Sequence, residues 1–402
     1  MNESSAPATS RPTLRLLPGH DKRAASGHPW VYSNEIAMDA AAKALPPGSL
    51  VALTTANGKT LGTASFNPHT LIAARFLSRD AATRIDRAFF ATRLERALTL
   101  RHRLYPEPYY RLIHAEADGL PGIILDRFGD VLSCQINTAG MALLEEEFLA
   151  ACRDVLNPRA IVLRNDTAAR GLEGLAGEDR VAVGEVAPPV EIVENGARFA
   201  IDPLGGQKTG WFYDQRENRH LASRFASGGR VLDAYCFGGG FGILAALAGA
   251  EQVLAVDRSD TALKLAARSA ELNGVGARCR FAKGDAFDEL ERLHGQGERF
   301  DLVIADPPAF ARSKKDLGPA LRGYRKLARL SASLVAKGGT LFIASCSHQV
   351  ETEAFAEAVR RGLQDAQRDG RIIATTGAAP DHPVHPFLPE SAYLKAQLVA
   401  LD

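Results

Sequence analysis

Residues 230–257 read RVLDAYCFGGGFGILAALAGAEQVLAVD. The apolar run 231–233 predicts a buried strand, glycines 238, 239, 240 and 242 predict a turn, and the small-residue stretch 243–250 predicts a helix leading to a second strand that stops at Asp257. That order is one βαβ unit. A residue without Cβ lets the backbone approach a ligand closely and accepts positive φ, so the turn predicts a nucleoside site with Phe237, Gly238 and Gly240 against the ligand. An acidic residue ending the second strand, about 20 residues beyond the glycines, is placed to accept hydrogen bonds from ribose hydroxyls. Asp257 fits. The dinucleotide spacing GxGxxG does not, because counted from Gly238 it needs glycine where Ile243 stands and would crowd a pyrophosphate.

Two more apolar runs end in chemistry. Residues 300–310 (FDLVIADPPAF) predict a strand ending in Asp306-Pro307-Pro308, and residues 340–347 (TLFIASCS) another, preceded by a Gly338-Gly339 turn. Ligands of open parallel sheets sit at the carboxyl ends of the strands. Asp306 and Cys346 are therefore expected in one cleft with the glycine turn. Asp233, ending the first strand, is read as holding a ligand amino group or a water, or else as capping the turn.

Together with QKTGWFYDQRENR (207–219) and GHPWVYSNEI (27–36), these motifs resemble class I S-adenosylmethionine-dependent methyltransferases. Within them the chain is similar to the bacterial large-subunit rRNA cytosine-C5 methyltransferases, across residues 13–401. The resemblance implies S-adenosylmethionine as cofactor, large-subunit rRNA as partner and a sheet whose last strand is antiparallel. It implies that Asp214, Gln215 and Arg216 lie near the methionine end of the donor and Asp285 at the adenine amino group. Arg216 could equally be a surface ion-pair partner.

Carbon 5 of a pyrimidine is a poor nucleophile, and a thiolate adding to carbon 6 makes it enamine-like. Cys346 is the expected nucleophile, with Cys236 as rival inside the glycine turn, and Asp306 is expected to protonate or hydrogen-bond ring nitrogen N3. Asp-Pro-Pro also occurs in methyltransferases acting on exocyclic amines, typically with an aromatic residue directly after the prolines. Here Ala309 precedes Phe310. Residues 312–329 carry seven basic residues against one acidic. With Phe310, the leading cations Arg312, Lys314 and Lys315 are candidates to hold RNA; the alternative is a solvated helix face.

The 402 residues exceed one ordinary domain. Residues 1–11 are expected as a disordered tail, 12–83 as a small β-barrel, 84–189 as an α+β module and 190–402 as a doubly wound, Rossmann-like α/β domain. The barrel's opening resembles a PUA domain, an RNA-binding barrel, with Lys22, Arg23 and His28 as candidate RNA contacts and Trp30 and Tyr32 read as filling the core. Residues 85–104 carry apolar residues at helical spacing with arginines between them, an amphipathic linker helix. Residues 141–155 predict one further helix. Five cysteines without CxxC spacing indicate neither a disulfide framework nor a zinc site. No metal and no membrane partner are expected, the compartment is expected to be cytoplasmic, and monomer and homodimer both stay open. A net charge of +1 leaves nucleic-acid binding to local clusters. Two rivals remain: amine methylation of a purine base, and a non-catalytic RNA-binding or ribosome-assembly protein.

Overall fold

Short strands rich in apolar residues make the first element of the fold. In the computed structural model, which describes residues 11–402, β1 (Thr13–Arg15), β2 (Trp30–Tyr32), β3 (Ser49–Thr54), β4 (Thr60–Phe66) and β5 (Ile72–Ser78) pair in the order β1-β3-β4-β5-β2, beside the short helices α1 (Lys22–Ala25) and α2 (Ala40–Lys43). A Leu16–Ile36 bridge draws the two edges together. Leu14, Val31, Val51, Leu53 and Phe66 fill the interior. Alternation on β2 runs opposite to expectation: Val31 is buried, while Trp30 and Tyr32 point to the other face. The tail expected over residues 1–11 lies outside the described residues except for Arg11, which donates to Thr63 Oγ1 at 2.7 Å and to the Ala81 carbonyl at 2.9 Å.

Asp86 opens α3 (Arg87–Leu104) by accepting from the Phe89 N–H at 3.1 Å. Next come β6 (Tyr109–His114), β7 (Ile123–Phe128), β8 (Val131–Ile136), α4 (Ala139–Leu143), α5 (Glu145–Leu156), β9 (Ala160–Arg164), α6 (Ala168–Leu172) and β10 (Asp179–Gly184), giving a sheet ordered β10-β9-β8-β7-β6. The single helix expected over 141–155 is two, broken at Leu144, with Glu145, Glu146 and Glu147 in the first turn of the second, where carboxylates favour a helix start. The barrel and this module form one compact unit, comprising the described residues up to Pro106, Arg111–Glu185 and, from far along the chain, Pro383–Pro389. Within it, Arg75 pairs with Glu173 at 2.6 Å.

The second unit comprises Glu107–Tyr110, Val186–His382 and Glu390–Asp402. It opens with the hairpin β11 (Val190–Glu194) and β12 (Ala197–Ile201), then α7 (Arg216–Ser223). Alternation follows: β13 (Arg230–Ala234), α8 (Gly240–Leu247), β14 (Gln252–Asp257), α9 (Asp260–Leu272), β15 (Cys279–Lys283), α10 (Ala286–Gly295), β16 (Phe300–Ala305), α11 (Leu317–Leu334), β17 (Val335–Ser345), α12 (Thr352–Asp365), β18 (Gly370–Thr376) and β19 (Lys395–Leu401). The sheet runs β15-β14-β13-β16-β17-β19-β18, parallel except for β19, which is antiparallel to both neighbours. This is the expected doubly wound architecture. The Gly338-Gly339 pair does not precede β17 but lies inside it, because the strand reaches back to pair Val335 with Phe300 and the register then shifts. Among the described residues no helix is long and apolar enough to cross a membrane.

Candidate active site

The chain winds outward from β13 in both directions, so the carboxyl ends of β13 and β16 border the switch point where such sheets bind ligands. Asp233 lies next to the end of β13 with only 1% of its surface exposed. Its Oδ2 accepts from the Gly242 N–H at 2.8 Å, and its Oδ1 is buried without a hydrogen-bond partner. Burial, reinforced by the charges of Asp306 and Asp257, pushes the carboxyl up to about 7 against the opposing Gly242 N–H and Arg219. Beyond it the backbone is strained: Tyr235 and Phe237 hold φ of 65° and 47°, values bulky residues seldom adopt outside functional turns. Gly240 lies so close to Arg219 that a Cβ there would sit 2.5 Å from Nε, itself a buried donor without a partner. At Gly238 a Cβ would come within 3.0 Å of the Trp211 ring.

Asp257 ends β14 and ties down this turn, accepting from the Phe237 N–H at 2.9 Å and the Ser259 N–H at 2.8 Å. Each carboxylate oxygen keeps a further lone pair for a hydroxyl. Asp285, just past β15, caps α10 by accepting from the Phe287 N–H at 2.9 Å.

Gln215 bridges to β16, donating to Asp306 Oδ1 at 2.8 Å while its own oxygen accepts from Asn218 at 2.6 Å. Asp214 Oδ2 accepts from the Tyr393 hydroxyl. Burial first, and the charge of Asp214 second, push Asp306 up to about 7 against Arg219, Gln215 and Lys208. Arg216 is buried, with Nε 3.8 Å from Glu194 and its guanidinium 5.1 Å from the Tyr213 ring. Arg219 shares Glu194 at 2.6 Å and lies 4.5 Å over Trp211. Arg216 thus has an ion-pair partner, though in the interior rather than at the surface. Sequence reasoning gave no role to Arg219, Trp211 or Lys208, although all three stand in the quoted 207–219 stretch.

Cys346 follows directly on β17, half-buried, with Sγ 3.8 Å from the Pro307 carbonyl. Burial pushes its thiol up to about 11; Asp306 and Asp214 act in the same direction, and Lys208 opposes them. Its neighbours are scaffolding: the Tyr324 hydroxyl meets both Ser345 Oγ and Ser347 Oγ at 2.8 Å, and Lys395 Nζ donates to the Ser347 carbonyl at 2.8 Å. Next along, His348 stacks on Tyr393 with ring centroids 5.0 Å apart, and burial holds its imidazole below the ordinary value. Cys236 is 5% exposed and packs with Ala255, Leu263 and Phe281. Burial raises it well above the ordinary thiol value.

The residues expected to meet RNA separate. Lys22 is exposed, and Arg23 pairs with Glu35 at 2.7 Å while lying 4.2 Å over Tyr32. His28 is only 7% exposed, its Nδ1 accepting from the Trp30 N–H at 3.0 Å, so it serves the barrel's own turn. Phe310 is half-buried and packs on Tyr324 at 4.6 Å. Arg312, Lys314 and Lys315 are exposed on the turn before α11. Further along α11, Arg325 and Lys326 are paired with Asp365 and Glu291, as on a solvated helix face.

A family model described as S-adenosylmethionine-dependent methyltransferase matches residues 169–369, and one described as a PUA-like domain matches residues 14–79. The chemistry of the site fits that cofactor, since an amino group would satisfy the orphaned Asp233 Oδ1 and Asp257 keeps acceptor capacity for ribose hydroxyls. Ribosomal RNA large subunit methyltransferase I of Aeromonas hydrophila is 37% identical over 394 residues, covering 96% of this chain and 98% of that protein. The protein of the same name from Vibrio cholerae is 38% identical over 393 residues, covering 96% and 98%. Among solved structures, a methyltransferase complexed with SAH superimposes with a TM-score of 0.82 at 20% identity, covering 98% of this chain and all of that one. A methyltransferase from Streptococcus mutans does so with 0.81 at 20%, covering 97% and 100%. These structural likenesses carry the fold across both units, and identity sustained over nearly the full length of two curated relatives carries more: the chain belongs to the ribosomal RNA large subunit methyltransferase I family, with an S-adenosylmethionine-dependent methyltransferase domain behind a PUA-like domain.

Proposed function

We propose that the protein forms 5-methylcytosine in large-subunit ribosomal RNA, in the cytoplasm, through a transient bond between Cys346 and the target base. The name of its relatives supports the ribosomal substrate. The observation that carries the chemistry is the half-buried thiol at the carboxyl tip of β17, beside Asp306 at the tip of β16. Bound S-adenosylmethionine supplies an electrophilic methyl group on a sulfonium. Asp233, Asp257, Asp285 and the turn at Phe237, Gly238 and Gly240 hold it, with Asp214, Gln215 and Arg216 ordering the wall beside its methionine end.

The Cys346 thiolate adds to carbon 6 while a neutral Asp306 gives its proton to N3, so carbon 5 gains the electron pair that attacks the methyl. A base then takes the carbon-5 proton, N3 returns its proton and the thiolate leaves, restoring the ring. Two features support these roles. The raised Asp306 carboxyl can hold a proton near neutral pH, and Lys208 is the cation favouring the thiolate. Lys22, Arg23, Arg312, Lys314 and Lys315 are the exposed or half-exposed cations offered to phosphates.

RNA carrying 5-azacytosine at the target is expected to trap the wild-type enzyme in a complex that survives denaturing electrophoresis. Cys346→Ala is expected to give no such complex and no methylated cytosine while keeping its affinity for the donor. Trapping through Cys236 alone would reassign the nucleophile. Undiminished methylation in both single variants would replace this chemistry with amine methylation at Asp306.

A further inference from the structure

Helix α3 belongs to the module between the barrel and the methyltransferase domain, and its arginines have no part in the site above. Arg93, Arg96 and Arg103 stand at helical spacing along one face and line a groove of about 490 Å³. Residues 116–119 and His385 also line it, all within the first compact unit.

The two carboxylates in that lining are already engaged. Asp118 takes both ends of the buried Arg101 guanidinium at 2.7 and 2.8 Å, and Glu116 accepts from the Trp30 indole at 2.8 Å with Arg75 3.9 Å away. Arg96 and Arg103 are exposed and have no ion pair among the described residues. Arg93 is pre-set: it donates to the Leu77 carbonyl at 2.9 Å, lies 4.8 Å over Phe89 and has a buried Nε without a partner. Gly119, at φ +74°, leaves that guanidinium room, since even a Cβ there would sit 3.3 Å from Nε.

Arg93 and Arg96 repel each other in the free protein, and an anionic ligand with repeated charges relieves that repulsion while also meeting Arg103. We propose that this groove is a phosphate-backbone site for the substrate RNA, separate from the PUA-like barrel and from the active-site cleft, with Arg93, Arg96 and Arg103 holding successive phosphates. It rests on the RNA substrate proposed above and not on the chemistry at Cys346. Arginine suits the role because its planar fork matches phosphate oxygens in pairs.

The test is binding of the full chain to large-subunit rRNA transcripts across a salt series. Each phosphate contact contributes roughly 0.7 to 0.9 to the slope of log affinity against log salt. Arg96→Glu with Arg103→Glu, both exposed, is therefore expected to reduce the slope by about 1.4 to 1.8 and to weaken binding roughly ten-fold at low salt. Calorimetric affinity for S-adenosylmethionine stays at the wild-type value. Lys264→Glu with Lys337→Glu, which makes the same charge change on exposed residues elsewhere, is expected to leave the slope near wild type. An unchanged slope in the arginine variant, or an equal loss in the lysine variant, overturns the site. Loss of slope in a protein that traps no 5-azacytosine RNA would keep the groove and remove only the cysteine mechanism.

Discussion

Asp306 and Cys346 titrate in an inverted order, the acid near 7 and the thiol near 11. The mechanism proposed above needs the acid protonated and the thiol ionised. Below pH 7 its population rises tenfold per pH unit as thiolate forms; between 7 and 11 the growing thiolate and the dwindling carboxylic acid cancel. The pH profile of kcat/KM is thus expected to climb to about 7 and then level. Asp306→Asn can still accept from Gln215 but cannot titrate, so its lower activity should keep climbing past pH 7. A plateau at the same pH in that variant would show that another group sets it. Asp233 carries a stability consequence. Its folded value near 7 lies above an unfolded value near 3.9, so the stability it contributes is full below about pH 4 and lost as pH rises through 7. In urea unfolding of the ligand-free protein, Asp233→Asn is expected to be more stable than wild type at pH 8, by a few kcal/mol at most, with the gain shrinking toward pH 5. Its affinity for S-adenosylmethionine should fall. A gain independent of pH would mean that the buried charge is not its source.

At the scale of elements, the turn from β13 to α8 is the most exacting. Gly239 caps α8 at φ +80°, where a Cβ would stand 2.9 Å from Ile243 Cδ1 and 3.1 Å from Ala266 Cβ. Gly239→Ala is expected to cost about 1 to 3 kcal/mol in denaturant unfolding and to weaken donor binding in calorimetry. Unaltered stability would mean that the turn relaxes at no cost. The same scale explains where periodicity misleads. On β2 only three residues pair, too few for alternation to say which face is inward, and Val31 took the core in place of Trp30 and Tyr32. Within β17, Gly339 is required by a neighbouring strand, since a Cβ there would lie 2.7 Å from the Asp301 carbonyl. That contact exists only once β16 is alongside, so the glycine pair reads locally as a turn.

At the scale of the whole molecule, the barrel and the α+β module share one compact unit. Glu173 of the module is 6% exposed and is held by Arg75 at 2.6 Å and Asn67 at 3.0 Å, both from the barrel. Arg75→Ala leaves that carboxylate buried without its cation, a loss of about 3 to 5 kcal/mol for such pairs. Hydrogen exchange is expected to quicken in β5 and in α6 together. Faster exchange confined to β5 would show that the barrel opens alone.

The glycine turn, the two acidic strand ends and the alternation of strand and helix were legible in the chain, because each depends on neighbours within about 20 residues: a backbone that must lack Cβ, a strand that must stop, a helix that must follow. Those local rules sufficed for the doubly wound domain and for the placing of Asp233, Asp257, Asp306 and Cys346 at or just past the carboxyl ends of its strands. What only the tertiary structure decided depends on residues far apart in the chain. Packing by distant segments withdrew His28 from the surface, set Phe310 on Tyr324, turned Arg216 inward onto Glu194, and raised Asp306 first by burial and then by the charge of Asp214. It also carried Pro383–Pro389 into the first unit and left three arginines of α3 facing one groove, since the carboxylates of Glu116 and Asp118 were already taken by Trp30, Arg75 and Arg101. Which charge stays uncompensated is a property of the fold's whole set of pairings, and no window of sequence contains it.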